Sequence, residues 1–205
     1  MSLDGFVAGP NPSLEDPLGK GGEQLHEWVF ATQAWRKPHG RSGGEANVDS
    51  ELVERTLART GATIMGRRMF SGGEGPWEED SNANGWWGDD PPFHHPVFVL
   101  THHARDPLAM EGGTTFTFVT DGIESALGQA RDAAVEKDVA VAGGAEAIQQ
   151  YMKAGLLDEL HLHVVPVCLG AGRLLLEDLA AGRLESTGML RSPSGVAHLS
   201  YRFPR

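Results

Sequence analysis

Cysteine is almost missing from this sequence: Cys168 stands alone among 205 residues. No disulfide can close within the chain, which excludes a disulfide-stapled secreted scaffold. Its setting in the apolar run Val164-Val165-Pro166-Val167-Cys168-Leu169 predicts a buried packing thiol in a reducing compartment, and so a cytoplasmic protein. Basic residues are scarce too, 17 Lys and Arg against 28 Asp and Glu, for a formal charge of −11. Binding to a nucleic-acid backbone draws on clustered Lys and Arg, so that class of partner is not expected. No apolar run approaches the roughly 20 residues of a spanning helix. The opening MSLDGFVAGP has neither a basic region nor an apolar core, so no membrane segment or signal peptide is expected. HExxH and GxSxG are absent, and there is no internal repeat. Paired histidines occur at His94-His95 and His102-His103, with His161 and His163 alternating, but their spacing matches no zinc signature and no metal is expected.

The chain does hold strands that end in glycine beside a helix start. Val139 to Ala142 is a short apolar run stopped by Gly143-Gly144, and Ile148, Tyr151 and Met152 then recur at the spacing of one helix face. Glycine there lets the backbone turn sharply and approach a ligand, while the first amides of the next helix lack intrahelical partners and favour an anion. A tight connection that binds nothing explains the glycines equally well. The same pattern recurs at Ala62-Thr63-Ile64-Met65 before Gly66-Arg67-Arg68, and Pro96 to Leu100 ends at Thr101. In an open α/β sheet, ligands sit at that edge. Arg67 and Arg68 would suit a phosphate, because guanidinium offers paired donors; as an alternative they pair with acidic residues on a solvated face.

Other elements follow in order. Ser2 to Ala8 reads as a strand, clipped for a central one, so the true start of the protein is expected upstream. Leu25 to Trp35 reads as one helix with Leu25, Trp28, Val29 and Thr32 on one face. Asp49 is placed to cap a helix whose inward residues are Leu52, Val53, Thr56 and Leu57. Ser71 to Pro92 has no period and reads as a long loop of the kind that lines binding sites. Thr114 to Val119 is a strand, Asp121 caps a helix facing inward through Ile123, Ala126, Leu127, Ala130 and Ala134, and Leu160, Leu162 and Val164 mark another strand. Arg183 to Leu190 and Gly195 to Phe203 read as an antiparallel hairpin. Alternating strands and helices imply right-handed crossovers and a mainly parallel sheet, in one domain spanning residues 1–205. Acidic candidates near the edge are Asp4, Glu27 and Glu146. Asp4 is a candidate proton donor or a structural acceptor for backbone amides; Glu27 and Trp28 are candidate substrate contacts, or a solvated helix residue and a packing aromatic.

Taken together, Ser2-Leu3-Asp4-Gly5-Phe6-Val7-Ala8-Gly9, Met65-Gly66-Arg67-Arg68, Val97-Phe98-Val99-Leu100-Thr101, Val141-Ala142-Gly143-Gly144 and Leu157-Asp158-Glu159-Leu160, followed by Pro166 and Leu169-Gly170-Ala171-Gly172, carry a resemblance over nearly the whole chain. The sequence resembles the dihydrofolate reductase-like superfamily, and within it the family built on the C-terminal reductase domain of bifunctional riboflavin-biosynthesis proteins. The resemblance implies a three-layer α/β/α domain, NADPH as hydride donor and a homodimer joined through the C-terminal part. It implies that Gly66, Arg67 and Arg68 hold the 2′-phosphate side, that Thr101 lies near the adenosine, and that Gly143, Gly144, Ala145 and Glu146 meet the pyrophosphate. Reduction of 5-amino-6-(5-phosphoribosylamino)uracil is the implied activity. Two residues depart from the pattern: Met69 stands where dihydrofolate reductases usually have a phosphate-binding threonine, and Ala142 where riboflavin reductases usually place a glutamate. The alternatives are a dihydrofolate or pterin reductase, and a dinucleotide- or ligand-binding dimer that kept the fold without turnover.

Overall fold

A computed structural model describes residues 1–177 and 182–204. In chain order the elements are β1 (Phe6–Ala8), α1 (Glu27–Phe30), α2 (Gln33–Arg36), α3 (Val48–Arg59), β2 (Thr60–Gly66), α4 (Arg67–Ser71), β3 (Pro96–Leu100), β4 (Leu108–Ala109), β5 (Thr115–Val119), α5 (Ile123–Ala134), β6 (Asp138–Gly143), α6 (Ala145–Lys153), β7 (Glu159–Val164), β8 (Arg173–Leu174), β9 (Glu185–Arg191) and β10 (Ala197–Arg202). The architecture is mixed α/β, with a mostly parallel sheet flanked by helices and a separate antiparallel sheet. Residues fall into two compact units: one is built from 1–12, 18–53 and the described part of 149–205, the other from 13–17 and 54–148.

The second unit carries the parallel sheet, ordered β4-β5-β3-β2-β6, in which only β4 runs antiparallel. Its strands are apolar because both faces are covered. Ala126, Leu127, Ala130 and Ala134 bring α5 down on β2, β3 and β6, and small side chains allow a close approach: a Cβ on Gly61 would stand 2.8 Å from the Ala134 carbonyl oxygen. Met65, Phe70, Val97, Val99, Phe116 and Phe118 form a buried cluster joined by Trp77, Trp87 and Phe93. Its rings meet edge to face, with Phe70 4.9 Å from Phe116, a favoured aromatic geometry.

The first unit holds the antiparallel sheet β7-β10-β9 and the two-stranded pair β1-β8. The C-terminal hairpin forms as the sequence predicts, with Ala197 opposite Arg191. Leu25, Val165 and Val196 make one buried cluster of this unit, with Trp28, Val167 and Leu169 against it.

Several local expectations are corrected. The opening residues are a turn rather than a central strand: Gly5 has a φ of 92°, its amide bonds to the Ser2 carbonyl, and the strand that follows pairs with β8. The helix expected over 25–35 is broken at Thr32, whose hydroxyl accepts the Trp35 amide and starts α2. Asn47, not Asp49, caps α3; its Oδ1 accepts the amides of Asp49 and Ser50. Leu57 is exposed rather than inward. Ahead of α5 stands Gly122, with no side-chain cap bond, where Asp121 was expected to serve. Cys168 is exposed, because Val167 and Leu169 on either side turn into the apolar cluster.

Candidate dinucleotide edge and the residues around it

Parallel pairing puts the C-terminal ends of three strands side by side. Gly66 lies opposite Leu100, and Met65 opposite Gly143, so the turns after β2, β3 and β6 open on one edge of the second unit. Gly66, Thr101 and Gly143-Gly144 therefore meet as the sequence expects. The backbones approach closely: a Cβ on Gly66 would lie 3.7 Å from the Gly144 nitrogen. A Cβ on Gly143 would meet the Met69 sulfur at 3.2 Å, whereas one on Gly144 would meet nothing within 4 Å. Gly144 thus faces open space, directly ahead of α6. Ala145 is buried and Glu146 exposed in the first turn of that nine-residue helix, whose leading amides lack intrahelical acceptors.

The two arginines part company. Arg67 is 7 % exposed; its guanidinium lies 3.4 Å from the Trp77 ring centroid, 2.6 Å from Asp80, and donates to the Ser71 hydroxyl. Ser71 in turn donates to Asp80 at 2.7 Å, and the Asn82 amide donates to the same carboxylate at 2.9 Å. Burial pushes the Asp80 carboxyl up, but Ser71, Arg67 and Asn82 together outweigh it and hold the group below the usual carboxylate range. Arg67 is a structural pin, and its paired donors face Asp80 and Ser71 rather than a phosphate. Arg68 is half exposed and lies between two carboxylates, donating to Glu74 and, at 3.1 Å, to Glu146. Glu146 thus acts as a counter-ion of Arg68. Thr101 is buried, and its hydroxyl accepts the His103 amide at 3.1 Å, closing the turn after β3.

The expected binding loop is mostly packing. Trp77 donates to the His103 carbonyl and Trp86 to the Met69 carbonyl, while Trp86 and Trp87 stack at 4.4 Å. Asp80 and Glu74, the carboxylates that help set the roles of the two arginines, were missed by sequence reasoning. They lie six to thirteen residues away in a stretch without period, and nothing local marks them.

The remaining candidates belong to the first unit. Asp4 accepts the Leu169 amide at 3.1 Å and the Gly170 amide at 2.7 Å. Ser2 and these amides hold its carboxyl below the usual range, so Asp4 locks the 169–170 turn and is a poor proton donor near neutrality, contrary to the catalytic role the sequence suggested. Glu27 is exposed at the start of α1. Trp28 donates to the Leu25 carbonyl at 3.1 Å and packs on His163 and His198. Among the described residues no group of three or more His, Cys, Asp or Glu side chains is arranged to hold a metal ion, and no helix is long and apolar enough to cross a membrane.

The fold is that of an α/β protein in which the turns after three parallel strands gather on one edge. The RibD C-terminal domain family matches residues 1–197, and the chain belongs to that family. Its structure resembles a candidate riboflavin biosynthesis protein from Shewanella sp. PV-4, with a TM-score of 0.66 and 20% identity over 100% of this chain and 96% of that one. It also resembles RibD of Acinetobacter baumannii, with a TM-score of 0.53 and 16% identity, covering 100% of this chain and 56% of that one. A Thermotoga maritima diaminohydroxyphosphoribosylaminopyrimidine deaminase/5-amino-6-(5-phosphoribosylamino)uracil reductase aligns with a TM-score of 0.52 and 12% identity, over 98% of this chain and 54% of that one. The chain thus spans about half the length of these last two proteins. A comparison with curated proteins finds no match to this sequence.

Proposed function

We propose that this chain is an NADPH-dependent reductase that passes hydride to a C=N or C=O bond of a small heterocycle, of the kind reduced in riboflavin biosynthesis. One observation carries the reading: the turns after β2, β3 and β6 share one edge, with a glycine that faces open space, the start of α6 and the exposed Arg68. The residues fit a dinucleotide. Gly143, Gly144 and Ala145 would receive its pyrophosphate, Thr101 would stand near the adenosine, and Gly66 would keep the edge open beside Arg68. Arg68 alone is the guanidinium offered to a 2′-phosphate, since Arg67 is paired inside with Asp80. A phosphate arriving there displaces Glu74 and Glu146 from Arg68. When bound, NADPH supplies the hydride; the chain's own residues orient it and limit access of water. Asp4 is held ionised, so the accompanying proton comes from an ordered water or from another side chain.

Met69 favours a second reading, dinucleotide binding without turnover. Its thioether packs toward Gly143, where a hydroxyl would offer a phosphate a hydrogen bond. We further place the protein in the cytoplasm and expect a homodimer joined through its C-terminal strands.

Titration with NADPH and with NADH, followed by nicotinamide fluorescence and thermal unfolding, tests the assignment, because a ligand that binds only the folded state raises the melting temperature. NADPH binding well ahead of NADH is the expected result; no binding of either ends the reductase reading. A screen of pterins, pyrimidines and quinones for NADPH oxidation then separates an enzyme from a silent binder.

A further inference from the structure

The first unit holds a chain of buried polar side chains that the dinucleotide edge does not use. Asp49 is 1 % exposed and His198 5 %. Asp49 Oδ1 lies 2.7 Å from His198 Nε2, and His198 Nδ1 lies 2.8 Å from Nδ1 of the half-buried His163. The other Asp49 oxygen accepts the Ser192 hydroxyl at 2.5 Å. Trp28 covers both imidazoles, with ring centroids 5.0 Å from His163 and 5.1 Å from His198. Residues 49, 163 and 198 come from α3, β7 and β10, and a carboxylate this deeply buried persists only with partners.

The bond order fixes the protons. A carboxylate only accepts, so His198 Nε2 carries hydrogen toward Asp49. In neutral His198 the other nitrogen, Nδ1, is then an acceptor, and His163 Nδ1 must donate to it. His163 Nε2 is left with a lone pair, and Nδ1 is the only nitrogen of that ring hydrogen-bonded among the described residues. We propose that Asp49, His198 and His163 form a proton relay opening at His163 Nε2, where a small planar heterocycle with a protonatable nitrogen or oxygen docks beside Trp28.

The transfer balances. Unloaded, Nε2 takes a proton from the ligand as Nδ1–H passes its own to His198, which becomes an imidazolium next to the Asp49 carboxylate. Loaded, the relay runs backward: the proton on His163 Nε2 bonds to the ligand's heteroatom, Nδ1 takes one from His198, and His198 ends neutral. His163 would be the residue that touches the ligand, with Asp49 and His198 positioning it. The groups facing His163 are His198 from β10, Asp49 from α3, His161 on its own strand and the Met1 amino group, which donates to the His163 carbonyl at 2.6 Å. Burial, then the neighbouring His198, depress its pKa to about 3, so His163 itself stays uncharged near neutrality.

Diethyl pyrocarbonate, which acylates an imidazole nitrogen through its lone pair, tests this on the full chain with peptide mapping by mass spectrometry. His163 should react at pH 5 within about twofold of its rate at pH 7, whereas an N-acetylhistidine standard slows about 25-fold as it protonates from a pKa near 6.5. No reaction at His163, or a rate that follows the standard, overturns the open, neutral Nε2. A pterin or 5,6-diaminouracil should protect His163 at least about fivefold; protection by neither overturns the docking site. Asp49→Asn should slow the reaction by a similar factor by releasing the His198 tautomer, and an unchanged rate removes Asp49 and His198 from the relay. No dinucleotide enters these measurements, so they succeed or fail separately from the NADPH titration.

Discussion

Two adjacent arginines at the head of α4 do opposite work, and their substitutions should separate by stability. Breaking a buried ion pair leaves its partner charged and unpaired, at about 3–5 kcal/mol. Asp80→Ala, which strands Arg67, should therefore lower urea-unfolding stability by several kcal/mol. Arg68→Ala removes an exposed arginine that sits between two exposed glutamates, so its cost should stay within about 1 kcal/mol while NADPH affinity falls. Equal losses in the two variants would refute the division of roles. The sequence showed Arg67-Arg68 as one basic pair, because the difference is made by Trp77 and Asp80, which packing alone brings to Arg67. Asp4 differs: both of its readings were visible in the sequence, and the amides of Leu169 and Gly170 decide between them only through contacts some 165 residues apart in the chain. His163 adds a dependence on pH. Its folded pKa of about 3 lies below the roughly 6.5 of an unfolded histidine, so between these values the unfolded chain binds the extra proton. Stability then falls as pH drops below about 6.5, by at most about 1.4 kcal/mol per pH unit from this group. His163→Gln should flatten the pH 4–6.5 slope measured in urea; an unchanged slope would mean that His163 protonates normally in the fold.

Elements with a strong internal period were legible. The buried strands β2, β3 and β5 and the alanine face of α5 lie where apolar spacing put them, since burial on both sides leaves few other arrangements. Boundaries set by one polar side chain were not. Asn47 and Asp49 are both good caps by type, and the choice fell to Asn47 because Asp49 is held by His198 and Ser192 from β10 and the turn before it. The two positions should respond differently. Asn47→Ala loses a cap, about 1 kcal/mol, whereas Asp49→Ala leaves a buried hydroxyl and a buried imidazole without their acceptor and should cost at least twice as much by urea unfolding. Similar costs would return Asp49 to the simple capping role. The short pair β1-β8 hangs on one glycine: Gly172 has a φ of 142°, and a Cβ there would stand 2.0 Å from the Ala8 carbonyl oxygen. Gly172→Ala forces the strands apart, and the lost protection should appear as faster amide exchange at Leu175, whose amide bonds to the Gly5 carbonyl.

At the scale of the whole molecule, the ordered set of short motifs identified the family although no single motif is specific, and the three strand ends met as the order implied. A surface through which copies would associate was not readable from residue patterns, because Met189 and Leu190 look like ordinary strand residues. In the structure all seven residues of β9 are exposed, Met189 by 78 % and Leu190 by 38 %, and β9 ends its sheet. Edge strands usually carry charge or proline against pairing with other chains; the centre of this one, Gly188-Met189-Leu190, carries neither. Covering Met189 contributes about 1.5–3 kcal/mol for each copy. Each copy also bears a formal charge of −11, so repulsion opposes pairing until salt screens it, over about 10 Å at 0.1 M. The proposed homodimer should therefore tighten as salt rises, reaching twice the 22.0 kDa chain mass by light scattering. Met189→Lys should return it to the single-chain mass with an unchanged circular dichroism spectrum. A wild-type protein that stays at 22.0 kDa across the salt series would leave β9 a solvated edge, and the candidate sites would then have to work within one chain.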